Sequence, residues 1–391
     1  MIHPHLLVIM AIQTAPSFEQ LEKLKDTRDA DLISRPMLDA KRNRGRGAQT
    51  NQSSRFDTQS REDFDDGWGQ VEELKPFETI EHVERAKSII TRNESPDIGF
   101  DRSINAYRGC EHGCSYCFAR PTHSYLGHSA GLDFERQIYV KVNAVELLRR
   151  ELADKRYKPK SIAMGTNTDP YQPAERTHKL TRGILEVLLD TKHPASIVTK
   201  SALIVRDIDI LSEMAKHGLI NVGLSVTSMD HILSRKMEPR ASTPEKRLEA
   251  VRLLAAAGIP TGIMAAPMIP AINDMEMERI LDAGAAQGAQ WAGMVLLRLP
   301  GEVREIFREW MLRYYPDRVK HVMSLVRDTR GGKDYNSAWG DRMKGEGAYA
   351  TLMQQRMAKA KERYGLDKKL PALRTDLFVP PRIDDGQMSL F

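Results

Sequence analysis

The chain has 391 residues, 58 Lys+Arg against 53 Asp+Glu, a net charge of +5 and only three cysteines. That length holds one large α/β domain with appendages, and so few cysteines, odd in number, exclude a disulfide-stapled secreted scaffold and indicate a reducing compartment. The apolar run Leu6–Ile12 is too short to span a bilayer and has no basic stretch before it, so the expectation is a soluble, cytoplasmic protein with no membrane partner.

Residues 1–75 read as a mostly disordered arm. A basic cluster (Lys41, Arg42, Arg44, Arg46) is followed by NQSSRFDTQSREDFDDGWG, which has no apolar period. A core domain is expected over 76–300, where apolar strands alternate with amphipathic helices from Ile104 onward. The first strand is expected near Ser103–Arg108, with a helix near Ala144–Ala153. Strands follow at Ser161–Thr166, Ala195–Lys200, Ile220–Ser228, Thr261–Ile269 and Trp291–Leu299. Helices near Ala174–Asp190, Asp207–His217, Pro244–Ala257, Asp274–Gln287 and Glu302–Tyr315 alternate with them. Six βα units in a row imply an α/β fold with a parallel sheet closed or nearly closed by crossover helices, and six units, rather than the eight of a full barrel, match a partial (β/α)6 TIM-type barrel.

All three cysteines lie in one loop after the first strand, INAYRGCEHGCSYCFAR (Ile104–Arg120), as Cys110, Cys114 and Cys117 in the spacing C-x3-C-x2-C. Three thiolates so close together suit an iron–sulfur cluster or zinc. With His112 they could also form a Cys3His zinc site, although structural zinc usually draws on two separate ligand pairs. The nearby histidines His112, His123 and His128 have no spacing that demands metal. Met264, Met268, Met275 and Met277 read as packing or helix surface.

The cluster loop, with Tyr116 just before its third cysteine, resembles that of the radical S-adenosylmethionine (radical SAM) enzymes. The run GTNTDPYQP (Gly165–Pro173), the TKS after the third strand and the pattern EPR…R…AGI…P before and within the fifth strand narrow the resemblance to the spore photoproduct lyase-related, DNA repair photolyase-like branch, in an uncharacterised bacterial subgroup; it covers roughly Gly99 to Pro300. The resemblance implies a 4Fe–4S cluster on Cys110, Cys114 and Cys117 with one iron open to S-adenosyl-L-methionine (SAM), and an electron donor such as flavodoxin or ferredoxin. It further implies that Asp169 receives the cofactor's ammonium and Thr168 a hydrogen bond, that Lys200 lies near its carboxylate and that Ser225 meets its ribose. Asn167 and Arg240 are secondary candidates. A strict spore photoproduct lyase is not expected, because that reaction uses a further cysteine as hydrogen donor and here all three are committed.

After the barrel, 301–370 reads as a basic helical region: Gly301–Arg374 holds 17 Lys+Arg against 10 Asp+Glu. That balance fits DNA or another nucleic acid as partner, and equally a solvated helical surface. The helical pattern breaks at Arg330–Gly347, a glycine-, basic- and aromatic-rich stretch. Residues 371–391 read as an extended tail ending in Gln387-Met388-Ser389-Leu390-Phe391. This pentapeptide resembles the peptide by which bacterial polymerases and repair proteins hold the sliding clamp. The sequence thus leaves two functional classes: an enzyme that generates a 5′-deoxyadenosyl radical, or an iron–sulfur or zinc module recruited to DNA through the clamp without radical chemistry.

Overall fold

The computed structural model describes residues 32, 35, 37–56, 76–369 and 371–382. Among them the strands are β1 (Ile80–Glu84), β2 (Ile90–Arg92), β3 (Arg102–Ile104), β4 (Tyr107–Arg108), β5 (Gln137–Lys141), β6 (Ile162–Met164), β7 (Ala195–Thr199), β8 (Ile220–Ser225), β9 (Thr261–Met268) and β10 (Trp291–Leu296). The longer helices are α1 (Ala144–Ala153), α2 (Leu180–Asp190), α3 (Ile208–Lys216), α4 (His231–Met237), α5 (Pro244–Ala256), α6 (Met277–Ala286), α7 (Val303–Tyr314), α8 (Val319–Asp328) and α9 (Gly347–Tyr364).

The main sheet runs β10-β9-β8-β7-β6-β3-β2. Five of its pairings are parallel, linking β3 with β6 through β10, and β2 pairs antiparallel with β3 at the edge. Parallel strands need crossover helices, and these cover the outer face so that both sides of the sheet are buried. The core is accordingly continuous from Ile104 and Met164 through Ile197, Val222 and Ile263 to Leu296. Among the described residues no pairing joins β10 to β2, so this is the open, partial barrel that six units imply.

Local chemistry sets the helix limits. Thr243 caps α5 by accepting from the Lys246 amide, with Pro244 in the first turn, and the Asp230 carboxylate accepts from Ile232 and Leu233 at the start of α4. The helix expected over Ala174–Asp190 is two pieces, Glu175–His178 and α2, because Lys179 between them is left-handed with φ 51°.

The first expected strand is also divided. Arg102–Ile104 stays in the main sheet, whereas Tyr107–Arg108 leaves it to pair with β5 in a second sheet, β1-β5-β4. This sheet braces the far side of the cysteine loop.

Part of the expected solvated arm is packed. Over 37–56, Asn43, Arg46, Gln49, Thr50 and Ser54 are buried. Arg46 donates to the carbonyls of Glu135 (2.8 Å) and Phe77 (2.9 Å). This belt is glycine-dependent where it crosses the cysteine loop: a Cβ on Gly47 would lie 1.7 Å from the Gly113 carbonyl oxygen.

Beyond the barrel, α9 docks Ala350, Met353, Met357 and Ala360 into the main core, and Arg356 pairs with Glu278 of α6 at 2.6 Å. The described start of the tail is bonded rather than free, since Val379 donates to the Thr191 carbonyl (2.9 Å) and Phe378 lies edge-on to His193. The clamp-like pentapeptide, Gln387–Phe391, lies outside the described residues. No helix among the described residues is long and apolar enough to cross a membrane.

Candidate active site at the C-terminal mouth of the sheet

The C-terminal ends of β3, β6, β7 and β8 converge on the cysteine loop. Gly109 and Gly113, with φ of 79° and 68°, turn the backbone where an L side chain is disfavoured. Cys110 and Cys114 are buried and Cys117 is half-buried; Cys117 packs against the groups that hold each of the other two.

Three anchors fix the loop. Cys110 N donates to the Phe134 carbonyl at 2.9 Å. Ser115 N donates to the Met237 carbonyl (3.1 Å), and Arg240 N to the His112 carbonyl (3.3 Å), tying the loop to the MEPR segment after α4. Arg120, fully buried, donates from Nε to the Cys114 carbonyl (2.9 Å), from Nη1 to the carbonyls of Ala130 and Gly131, and pairs through Nη2 with Glu135 at 2.6 Å.

Burial, the Asp169 carboxylate and the two neighbouring thiols all push the Cys110 thiol up. Burial likewise carries Cys114 up to about 12, while the Lys200 ammonium pulls it the other way. Such a pocket disfavours bare thiolates. Thiolates there need a positive counterpart, which an iron–sulfur cluster supplies. The donor set fits that group: three soft ligands on one tight loop, with no further cysteine in the chain. For a Cys3His zinc site the fourth ligand would be His112, which turns its Nδ1 to Asp169 Oδ2 at 3.3 Å.

The four residues implied for SAM contact come from three successive strand ends, as expected, but their roles differ. Asp169 is saturated by protein donors. Its Oδ1 accepts from Thr199 Oγ1 (2.6 Å) and Tyr171 N (2.9 Å), and its Oδ2 from Lys200 N (2.8 Å) and His112. Burial alone would raise its carboxyl, but His112, Thr199 and the Lys200 amide hold it well below the usual carboxylate range. Thr168 donates to the Gly109 carbonyl (2.7 Å) and accepts from Gln172 Nε2 (2.9 Å). These two residues stitch the cysteine loop to β6 and β7.

Lys200 is the open group. Its ammonium lies 5.9 Å from the centre of the Tyr116 ring and has no hydrogen-bond partner among the described residues. Burial opposes its charge, yet Cys114 and Glu238 raise its pKa. Ser225 is buried at the end of β8; its carbonyl accepts from Arg247 Nη1 at 2.9 Å and leaves the hydroxyl without a partner among the described residues. Of the secondary candidates, the Asn167 amide donates to Asn105 Oδ1 (2.9 Å), and Arg240 pairs with Glu111 at 3.3 Å.

Sequence reasoning missed a buried network behind Lys200. Glu238 accepts from the Tyr116 hydroxyl, from Thr227 (2.9 Å) and from Arg247, and its pKa stays low because Arg247 and Lys200 outweigh the cost of burial. Glu238 and Arg247 both lie in the EPR…R pattern, so the signal existed as a resemblance without a chemical role. Of the histidines, His123 is buried with Nε2 bonded to the Gln137 carbonyl, and His128 bonds the Tyr139 hydroxyl.

Comparison with known proteins agrees with this geometry. The Radical SAM superfamily profile matches residues 104–284, which span the cysteine loop and β3 to α6. The chain belongs to the radical SAM superfamily. An uncharacterised protein of Mycobacterium tuberculosis (strain H37Rv) is 38% identical over 232 residues, 59% of this chain and 68% of that one. An uncharacterised protein of Methanocaldococcus jannaschii is 33% identical over 192 residues, 49% of this chain and 69% of the relative. Among solved structures, spore photoproduct lyase complexed with dinucleoside spore photoproduct superposes with a TM-score of 0.53 at 17% identity, covering 73% of this chain and 79% of that one. A mutant of that lyase with bound AdoMet and dinucleoside spore photoproduct gives 0.51, at the same identity and coverage. At that identity the likeness is one of radical SAM fold.

Proposed function

We propose that the protein is an enzyme in which Cys110, Cys114 and Cys117 hold a 4Fe–4S cluster whose open iron takes SAM, for hydrogen abstraction from a bulky substrate. The observation that carries this reading is the Lys200 ammonium, over the Tyr116 ring, without a hydrogen-bond partner among the described residues and near enough to Cys114 to pull its thiol down, at the mouth where three thiols share one loop. When bound and reduced by an external donor such as flavodoxin or ferredoxin, the cluster would supply the one electron that cleaves the sulfonium of SAM into methionine and a 5′-deoxyadenosyl radical.

The protein's own share is placement. Lys200 offers a cation to the cofactor carboxylate, with Glu238 and Arg247 behind it fixing its position. Ser225 offers a hydroxyl to the ribose. Thr168 and Asp169 hold the loop in register with the strand ends, beside where the ammonium of SAM would be received. The three cysteines are spent on the cluster, so a cysteine hydrogen donor is absent from the reaction and strict spore photoproduct lyase activity is not part of this reading. Anaerobic reconstitution with iron and sulfide, then reduction in the presence of SAM, should release 5′-deoxyadenosine. A protein that takes up zinc but neither iron nor sulfide would overturn the reading in favour of a binding module.

A further inference from the structure

The N-terminal belt brings the basic cluster of the sequence onto the cysteine loop. Asp39 starts a tight turn, its Oδ1 accepting from the amides of Lys41 (3.0 Å) and Arg42 (2.8 Å), and the Asn43 side chain closes it by donating to the Ala48 carbonyl (2.7 Å). The turn leaves Lys41 and Arg44 exposed and lays Arg42 on Phe77, with Cζ 4.3 Å from the ring centre. Arg136 lies against the same ring, its Cζ 5.6 Å from the centre. The Nε of each is buried and bonds to nothing, and neither guanidinium has a carboxylate partner among the described residues.

The charge continues to the loop itself. Buried Arg46 and exposed Arg240 both donate to Thr79 Oγ1, at 3.1 and 3.4 Å, and Thr79 donates to Glu111 Oε1 at 2.5 Å. Glu111 directly follows Cys110, and Arg240 pairs with it at 3.3 Å. Burial lowers the pKa of Arg46, and the charges of Arg240 and Arg136 act in the same direction, so these guanidiniums share one small region. The carboxylates among them do not cancel the charge: Glu111 and Glu135 are buried and committed, and Asp39 serves its own turn, which leaves Glu78 as the exposed one without a partner among the described residues. Stacking two cations on one ring with their Nε atoms out of water is a standing cost. An anionic surface arriving there finds the guanidinium forks already fixed, so little side-chain freedom is lost on contact.

We propose that Arg42 and Arg136 on Phe77, with Lys41, Arg44 and Arg240 around them, form the docking surface for the electron donor, and that the donor is a small acidic one-electron carrier protein. The inference rests on the radical SAM reading, which needs an electron from outside, since every cysteine of the chain already lies in the loop. One electron passes from the reduced carrier to the cluster; the carrier is oxidised, the cluster is reduced, and no proton or covalent bond moves. Position decides between the two anionic partners that this charge could serve. A nucleic-acid substrate has to reach the mouth, where Lys200 and Ser225 stand at the ends of β7 and β8. The belt instead packs Gly47 on the Gly113 carbonyl and joins Glu111 through Arg46 and Thr79, so a protein seated on it meets the backbone of the cysteine loop without entering the mouth. Electron-transfer encounters are small, polar and steered by charge, which is what this exposed cationic surface offers.

The test uses an acidic bacterial flavodoxin and the reconstituted holoenzyme under anaerobic conditions. Calorimetric titration at low ionic strength should show binding that weakens steadily as salt is added. Arg42→Gln combined with Arg136→Gln should weaken it about tenfold or more. The same variant should slow the release of 5′-deoxyadenosine driven by reduced flavodoxin by a similar factor, and leave the release driven by dithionite, which needs no docking, at the wild-type level. Iron content and thermal midpoint serve as folding controls; if that variant fails them, Lys41→Glu combined with Arg44→Glu decides, because both side chains are exposed. Wild-type affinity for flavodoxin in the deciding variant, or no binding by the wild type at about 100 µM, overturns the proposal. So does a variant that keeps flavodoxin and loses a single-stranded oligonucleotide, which would assign the surface to nucleic acid. A wild-type holoenzyme that releases no 5′-deoxyadenosine even with dithionite overturns the radical SAM reading instead, and the titrations still judge the docking surface.

Discussion

Glu135 is the knot between the N-terminal belt and the cysteine loop, and its removal has a calculable effect. The carboxylate is fully buried and accepts from Gly47 N (2.8 Å), Ala48 N (2.7 Å) and Arg120 Nη2 (2.6 Å). Glu135→Ala strands the Arg120 guanidinium, also fully buried, without a counter-charge, and breaking such a pair by removing one partner costs about 3–5 kcal/mol. Two belt amides lose their acceptor as well, but that loss overlaps the first and is not added. For a chain of this size, on the order of 2 °C of midpoint per kcal/mol translates this into a drop of roughly 6–10 °C. Arg120 also donates to the Cys114 carbonyl, so the variant should retain less iron after reconstitution and release it faster to a chelator. Glu135→Gln keeps the shape and one acceptor and should fall between the two. A Glu135→Ala protein that melts within about 2 °C of wild type and keeps its iron would show that belt and loop are independent.

Two further outcomes follow from groups far from the cysteines. Burial pushes the Glu309 carboxyl from 4.5 up to about 7, against the pull of Thr50 and Arg35. Between those values the folded state keeps a proton that the unfolded chain has released. Stability should therefore fall as pH rises through this window, by about 3 kcal/mol in all, and the loss should be complete above it. Midpoints at pH 5 and pH 8 should show this decline in wild type and not in Glu309→Gln; parallel declines would refute it. Deleting Gln387–Phe391 should abolish binding to a bacterial sliding clamp, expected on the order of 10 µM, and leave iron uptake intact. A full-length protein that ignores the clamp at that concentration refutes the tail's role.

The strand–helix rhythm was legible because parallel strands buried on both faces read as short apolar runs between amphipathic segments. The cysteine loop was legible because soft ligands so close in sequence have few other uses. What escaped was set by long-range partners. The belt GRGAQT reads as solvated chain, and it is buried only because Glu135, about ninety residues later, supplies acceptors for its amides. The division of the first strand was likewise invisible locally, since Tyr107–Arg108 turns away only to meet β5. That second sheet did carry a signal, Ile138 and Val140 alternating with Gln137, Tyr139 and Lys141, in a stretch where no strand is expected from the βα rhythm. Basic charge after residue 300 also misleads when counted. Arg308 and Arg327 face Asp334, Arg342 faces Asp97 and Arg356 faces Glu278, so much of it is consumed internally.

Asp169 separates two ways in which a residue can matter to a cofactor. The resemblance gives it the ammonium of SAM, yet its four acceptor positions already serve His112, Thr199, Tyr171 and the Lys200 amide. A new donor could bind only by displacing one of these. Removing the carboxylate would free the cysteine loop from the ends of β6 and β7 and leave a strand-end amide unpaired, which costs about 1–3 kcal/mol on its own. Asp169→Ala should therefore lose iron retention and SAM affinity together. Lys200→Ala removes an ammonium that donates no hydrogen bond among the described residues, so it should weaken SAM by about tenfold or more, the worth of one charge-assisted contact, with iron content unchanged. Iron per chain and equilibrium SAM binding, measured on both variants, distinguish the roles. If Asp169→Ala keeps its full iron and its midpoint and loses only SAM affinity, the carboxylate meets the cofactor directly and His112 must give way to it.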